Sequence, residues 1–245
     1  YFVGDFDGKT FTPFTKETKW LDYGPDEYAG VTWSNTGKRK IFLGWMSNWQ
    51  YATLVPTGVW RSAMTVPREL GLQNLSGQYF LTSRPVPELN TLNKNGFALK
   101  NISASEKTLT GKIGKLSGPA RLSFTTGQLR SFHITLSNQI GEKLVIGYDS
   151  TMNQYYIDRT GSGNVSFEKG FAKKHTAPRI AKDQGSDLTL IIDQASVELF
   201  SDGGLTVMTE IFFPQAPFST ITLEGSDDFQ IQSFQFHNLG SIWRK

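Results

Sequence analysis

Ile41–Ala52 reads IFLGWMSNWQYA, and no other stretch crowds strand-forming, aromatic and amide residues so closely. At the two-residue period of a strand, Ile41, Leu43, Trp45, Ser47 and Trp49 share one face, and Phe42, Gly44, Met46, Asn48 and Gln50 share the other. The strand is expected to end at Trp49, where polar residues take over. Two indoles at i and i+4, fringed by the primary amides of Asn48 and Gln50, make a flat apolar surface rimmed with hydrogen-bonding groups, which suits the face of a sugar ring. The competing reading is that both indoles fill a core.

Outward from this stretch the pattern is strand and turn. Asp7-Gly8 suits the positive φ angles of a two-residue hairpin between Tyr1–Phe6 and Lys9–Phe14. Gly24-Pro25 bends the segment WLDYGPDEY (Trp20–Tyr28), Tyr28–Ser34 resumes as a strand, and Asn35–Lys38 turns the chain into Lys40–Trp49. Downstream, Ser62–Pro67 reads as a strand and Leu70–Thr82 as a hairpin with Gly77 near its turn. Antiparallel strands of about five to six residues fit a propeller blade. Pro85 and Pro87 then stiffen the chain. Residues 1–72 are therefore expected to form one unit, 73–92 a packed linker and 93–245 a second unit. In the second unit short strands recur at regular spacing, from Gly96–Ile102 through Lys107–Thr110 to Phe229–His237, as in a two-sheet sandwich. In Ser131–Ser137, Phe132, Ile134 and Leu136 alternate with polar residues, giving one buried and one wet face.

Composition narrows the function. Eighteen Phe, eight Tyr, six Trp, twenty-four Gly and ten Pro favour short strands and tight turns, so the class is all-β. With 19% charged and 38% hydrophobic residues, the chain reads as a soluble globular protein with no membrane span. A net charge of +3 without a long Lys/Arg run argues against nucleic acid as partner. No cysteine means no disulfide or thiolate metal site, and His133, His175 and His237 lack metal-ligand spacing. No cofactor is expected. Tyr1–Phe6 already reads as a strand, and if it has partners upstream these residues are one part of a larger protein.

Asp22 and Asp26 invite reading as an acid/base pair. A retaining glycosidase needs carboxyls about 5–5.5 Å apart, whereas four extended residues span roughly 13 Å, so only a sharp bend at Gly24-Pro25 would bring them together. The alternative is that they hydrogen-bond their own turn, as Asp commonly does. Asp149, Asp158, Asp193 and Glu198 are separated by whole strands, and read as turn anchors or surface pairs such as Asp158-Arg159.

Taken together, YFVGDFDGKTF (Tyr1–Phe11), LDYGPDEYAG (Leu21–Gly30), IFLGWMSNWQYA (Ile41–Ala52) and WRSAMTVPREL (Trp60–Leu70) resemble glycoside hydrolase family 32, the family of invertases, levanases and exo-inulinases. The later half resembles its C-terminal module through IGYD (Ile146–Asp149), YYIDRTGSG (Tyr155–Gly163), SVELFSDGG (Ser196–Gly204) and VMTEIFFP (Val207–Pro214). The resemblance covers essentially the whole chain.

It implies the last part of a five-bladed β-propeller followed by a C-terminal β-sandwich, and retaining hydrolysis of β-fructosyl linkages in fructans or sucrose. In that chemistry one carboxylate attacks the anomeric carbon while a second carboxyl protonates the leaving oxygen and then activates water. The family's nucleophile, stabiliser and acid/base motifs do not occur in these residues, so no catalytic residue is assigned here. They are expected in an N-terminal propeller portion acting as partner to this one, and the 245 residues alone are expected to be inactive. By motif, Trp49 resembles the aromatic contact to the fructosyl unit, with Trp45, Asn48, Gln50 and Tyr28 around it. Asp22 matches an acidic position near the acid/base and leaving-group subsite. Pro25 replaces a basic residue found in some plant members, and Glu27 stands where an aromatic is common before the Tyr. The sandwich is expected to brace the propeller around Trp60, Val66 and Leu70; a different class of function would make it a non-catalytic carbohydrate-binding module. The family implies an extracellular or periplasmic location.

Overall fold

The structure is a computed structural model that describes residues 1–103, 111, 116–226 and 228–243. The first half carries β1 (Gly4–Phe6), β2 (Phe11–Pro13), β3 (Tyr28–Thr32), β4 (Lys40–Met46), β5 (Ala63–Met64), β6 (Arg68–Leu75) and β7 (Gln78–Pro85). As the Asp7-Gly8 dipeptide implies, β1 and β2 pair as an antiparallel hairpin, and Asp7 Oδ1 accepts from the backbone N–H of Lys9 and Thr10. A second sheet has the order β3-β4-β6-β7, with β5 also paired to β4. This is the blade.

Two expectations are corrected here. The central strand ends at Met46 rather than Trp49, because Asn48 folds the chain back: its carbonyl accepts from Tyr51 and Ala52 N–H, and its side-chain oxygen accepts from Gln50 N–H. Residues 73–92 carry the end of β6, all of β7 and a 3-10 turn at Pro87–Leu92. Their ladder is closed by Ser76-Gly77, so the Leu70–Thr82 hairpin is present and its strands run longer than expected.

The second half carries β8 (Asn93–Ser103), β9 (Ala120–Thr126), β10 (Phe132–Ser137), β11 (Lys143–Asp149), β12 (Gln154–Asp158), β13 (Lys174–Pro178), β14 (Ser186–Ile192), β15 (Ser196–Ser201), β16 (Thr206–Ile211), β17 (Thr220–Gly225) and β18 (Gln230–Leu239). Lys107–Thr110 lies outside the described residues. The strands form two antiparallel sheets, β13-β12-β11-β10-β17 and β16-β15-β14-β9-β18-β8. Residues from both fill one core, in which Phe124 meets Phe132 edge-on at 5.3 Å and Phe132 stacks on Phe229 at 5.5 Å. In β10 the alternation holds, with Phe132, Ile134 and Leu136 buried and the residues between them half-exposed. The sequence reading missed β13, KHTAP, because it is polar and ends in proline; an edge strand tolerates both.

β16 is the edge strand that meets the blade. Residues 22–26 run beside it as a partial extra strand: Tyr23 N–H donates to the Val207 carbonyl and Asp26 N–H to that of Thr209. Asp22 and Asp26 accept from the next free backbone donors, Thr209 N–H at 2.9 Å and Ile211 N–H at 2.9 Å. Between them Gly24 lies directly on the Thr209 backbone, where a Cβ would overlap main-chain atoms. The D-x-G-x-D spacing is thus a device for capping a sheet edge.

Candidate functional site

Tyr28, Trp45 and Trp49 come together at the β3 edge of the blade. Tyr28 and Trp45 are cross-strand partners whose rings meet edge-on at 6.2 Å, and the two indoles lie 5.1 Å apart, tilted by 47°. In a continued strand the i and i+4 rings would be roughly 13 Å apart; the Asn48 turn is what closes the gap. Trp49 remains 69% exposed and Tyr28 52%, so neither is core filler. Presented this way, the rings offer a flat, partly open apolar surface.

The other expected site residues have structural partners. Asn48 Nδ2 donates to the Pro25 carbonyl at 2.8 Å while Oδ1 holds the turn. Gln50 Nε2 donates to Glu168 Oε2 at 3.1 Å, which ties the turn to a loop of the sandwich. The Asp22 carboxylate is only 2% exposed; it accepts from Gly24 N–H of its own turn at 2.8 Å, as the turn reading expects, and its other bonds lie within the blade–sandwich junction. The structure thus places it against β16.

That junction contains two buried clusters of charge. In the first, Arg68 donates to Asp22 Oδ2 at 2.8 Å, to Glu198 Oε2 at 2.6 Å and to Thr209 Oγ1 at 2.6 Å, and Glu198 Oε1 accepts from Val66 N–H. Burial works against the Arg68 charge, but Glu198 and Asp22 outweigh it and hold the guanidinium protonated. In the second, Arg159 donates to Asp26 Oδ2 at 2.7 Å, to the Phe171 carbonyl at 2.7 Å and to the Tyr51 hydroxyl at 3.1 Å, and its guanidinium lies over the Phe171 ring at 3.8 Å. Tyr51 in turn donates to Asp26.

Sequence reading misses both clusters. It pairs Arg159 with Asp158 at the surface; Asp158 does anchor its own turn, accepting from Thr160, but Arg159 points inward to Asp26 and is fully buried. Glu198 likewise belongs to the junction. Val66 packs there beside Ile191, Phe200 and Val207, as expected, while Trp60 stays half-exposed.

Burial pushes two carboxyls of this region up to about 7. Glu210 faces His175 Nδ1 at 2.8 Å and Arg159 Nε at 3.5 Å, with Asp26 nearby. Glu27 is raised by burial and then by the Asp22 charge, and its Oε1 is buried without a hydrogen-bond partner. Each binds its proton more tightly in the folded chain than the ordinary 4.5. The resulting stabilisation is full below pH 4.5 and is lost as pH rises through 7. Thermal melts are therefore expected to show a lower midpoint at about pH 8 than at about pH 5, and Glu210→Gln should flatten that slope; a midpoint that rises over the interval would contradict the assignment.

Comparison with known proteins agrees with this architecture. Residues 1–85 match the model for the glycosyl hydrolases family 32 N-terminal domain, and residues 88–238 match that for the family 32 C-terminal region. The chain is 35% identical to the levanase of Bacillus subtilis (strain 168) over 99% of its own length and 38% of that protein. It is 32% identical to an extracellular exo-inulinase of Aspergillus ficuum, over 99% of this chain and 48% of the relative. It thus spans less than half the length of either. Among solved structures, exo-inulinase from Aspergillus awamori superimposes with a TM-score of 0.83 at 27% identity, covering 99% of this chain and 50% of that one. A β-fructofuranosidase from Schwanniomyces occidentalis complexed with fructosyl-erythritol gives 0.83 at 26% identity, covering 98% and 53%.

Proposed function

The chain belongs to glycoside hydrolase family 32, and from that premise we propose that it is the closing blade and sandwich of a retaining β-fructosidase acting on fructan or sucrose. The observation that carries the reading is the Tyr28–Trp45–Trp49 array on the blade edge, with Tyr28 and Trp49 exposed. In this reading Trp49 stacks on the fructosyl ring, Trp45 and Tyr28 back it, and Asn48 and Gln50 shape the turn that presents it. Asp22 acts from behind, by fixing the segment that leads into Tyr28.

The nucleophile and acid/base are contributed by propeller residues outside these 245. Support comes from the apolar side chains left open along the blade edge beyond the aromatic array, Val31 and Trp33, which suit contact with further blades. No cofactor enters the proposed chemistry. Both relatives described above act, by their names, on β-fructans, and the exo-inulinase is named extracellular, which favours export of this protein too.

Trp49→Ala in the full-length protein tests the pocket. An aromatic contact contributes about 1 kcal/mol beyond burial, so KM for fructan is expected to rise roughly five- to tenfold, with kcat changed far less. An unchanged KM would remove Trp49 from the site. The 245-residue chain alone is expected to release no fructose from sucrose, inulin or levan, and measurable release would refute the division of labour.

A further inference from the structure

We propose that the sandwich sets the position of the sugar-binding aromatics, through a buried trio of Arg159, Asp26 and Tyr51 that holds both chain segments carrying them. The inference deepens the proposed function and rests on its reading of Trp49 as a sugar contact. Trp49 is largely exposed, and the ring beside it, Trp45, belongs to the same array. What fixes it is therefore the turn it sits on.

That turn is gripped two residues later. Tyr51 is almost fully buried, and its ring stands edge-on to Phe171 at 5.1 Å and to Phe167 at 6.4 Å, both from the sandwich loop that joins β12 to β13. Its hydroxyl donates to Asp26 and accepts from Arg159. Asp26 lies two residues before Tyr28, the other end of the aromatic array. One buried hydrogen-bonded trio thus registers Trp49 and Tyr28 against each other, and its cation belongs to the sandwich. A second tie runs beside it: Gln50 reaches Glu168, and Gly170, whose N–H donates to the same carboxylate, leaves the space that the Gln50 amide occupies. Tyr51 and Arg159 are positioning residues; neither touches the exposed face of the array.

Tyr51→Phe is the discriminating variant, because it removes only the hydroxyl and keeps the ring among its Phe neighbours. In the full-length protein labelled with 5-fluorotryptophan, with the Trp49 resonance assigned by Trp49→Phe, the variant is expected to shift or broaden that resonance. KM for fructan should rise about threefold to fivefold with kcat held, the loss of one modest hydrogen-bonded restraint. In a double-mutant cycle Tyr51→Phe should add nothing to Trp49→Ala, because its effect passes through Trp49. An unmoved resonance overturns the inference, as does a Tyr51→Phe effect that multiplies fully with Trp49→Ala. A shifted resonance together with a Trp49→Ala that leaves KM unchanged upholds the positioning and overturns the sugar-contact reading instead. Asp26→Asn provides a second variant, expected to move the same resonance and to overturn the inference if it does not.

Discussion

Arg68→Met is expected to destabilise the protein by about 3–5 kcal/mol, the range for stranding a buried charge whose partner is removed. Two carboxylates, not one, lose their cation: Asp22 and Glu198 both lie in the junction with almost no solvent contact. Denaturant unfolding followed by circular dichroism measures the loss, and at roughly 2–4 °C per kcal/mol for a chain of this size the thermal midpoint should fall by on the order of 10 °C. Methionine fills most of the volume, so the effect is chiefly electrostatic. The triple variant Arg68→Met, Asp22→Asn, Glu198→Gln should therefore recover most of the loss, since the amide put in place of the Asp22 carboxylate keeps an oxygen for Thr209 N–H. A loss below about 1 kcal/mol for the single variant would mean that water reaches the carboxylates and that the cluster is less buried than described.

Gly24→Ala is expected to cost about 3 kcal/mol, the upper end for overpacking, because the added carbon would meet the Thr209 backbone and not a side chain that can turn away. Relief would require residues 22–26 to lift off β16. Hydrogen exchange at Thr209 and Ile211, whose N–H groups are held by Asp22 and Asp26, should accelerate selectively. Gly58, which has open space around its Cβ position, provides the control; Gly58→Ala should stay within about 0.5 kcal/mol of the parent. Equal effects at the two glycines would show that backbone entropy, not the close approach at Gly24, governs the result.

These two positions also show what sequence could and could not reveal. Strand content, the Asp7-Gly8 hairpin and the inward face of β10 are legible because each depends on neighbours within a few residues. The aromatic array is legible in its members but not in its geometry: a strand period puts Trp45 and Trp49 on one face, whereas the contact comes from a turn nucleated by Asn48. The junction is illegible for a different reason. Arg68 and Glu198 are 130 positions apart, and Arg159 and Asp26 are 133 apart. In the sequence alone each looks like an ordinary surface charge, and nothing local distinguishes a charge that will be buried opposite its partner. The raised proton affinity of Glu27 and Glu210 is illegible similarly, since it comes from burial that appears only in the folded chain.

The pairing of Asp22 and Asp26 with alternate backbone donors of β16 bears on how such a protein can change over generations. Asp22, Gly24 and Asp26 of one half are shaped to a strand and an ion cluster of the other, so a blade exchanged with that of a distant relative would arrive with its charges and its close approach mismatched. Blade and sandwich therefore form one structural unit, and a substitution along residues 22–26 that alters these contacts is expected to need a matching change in β16.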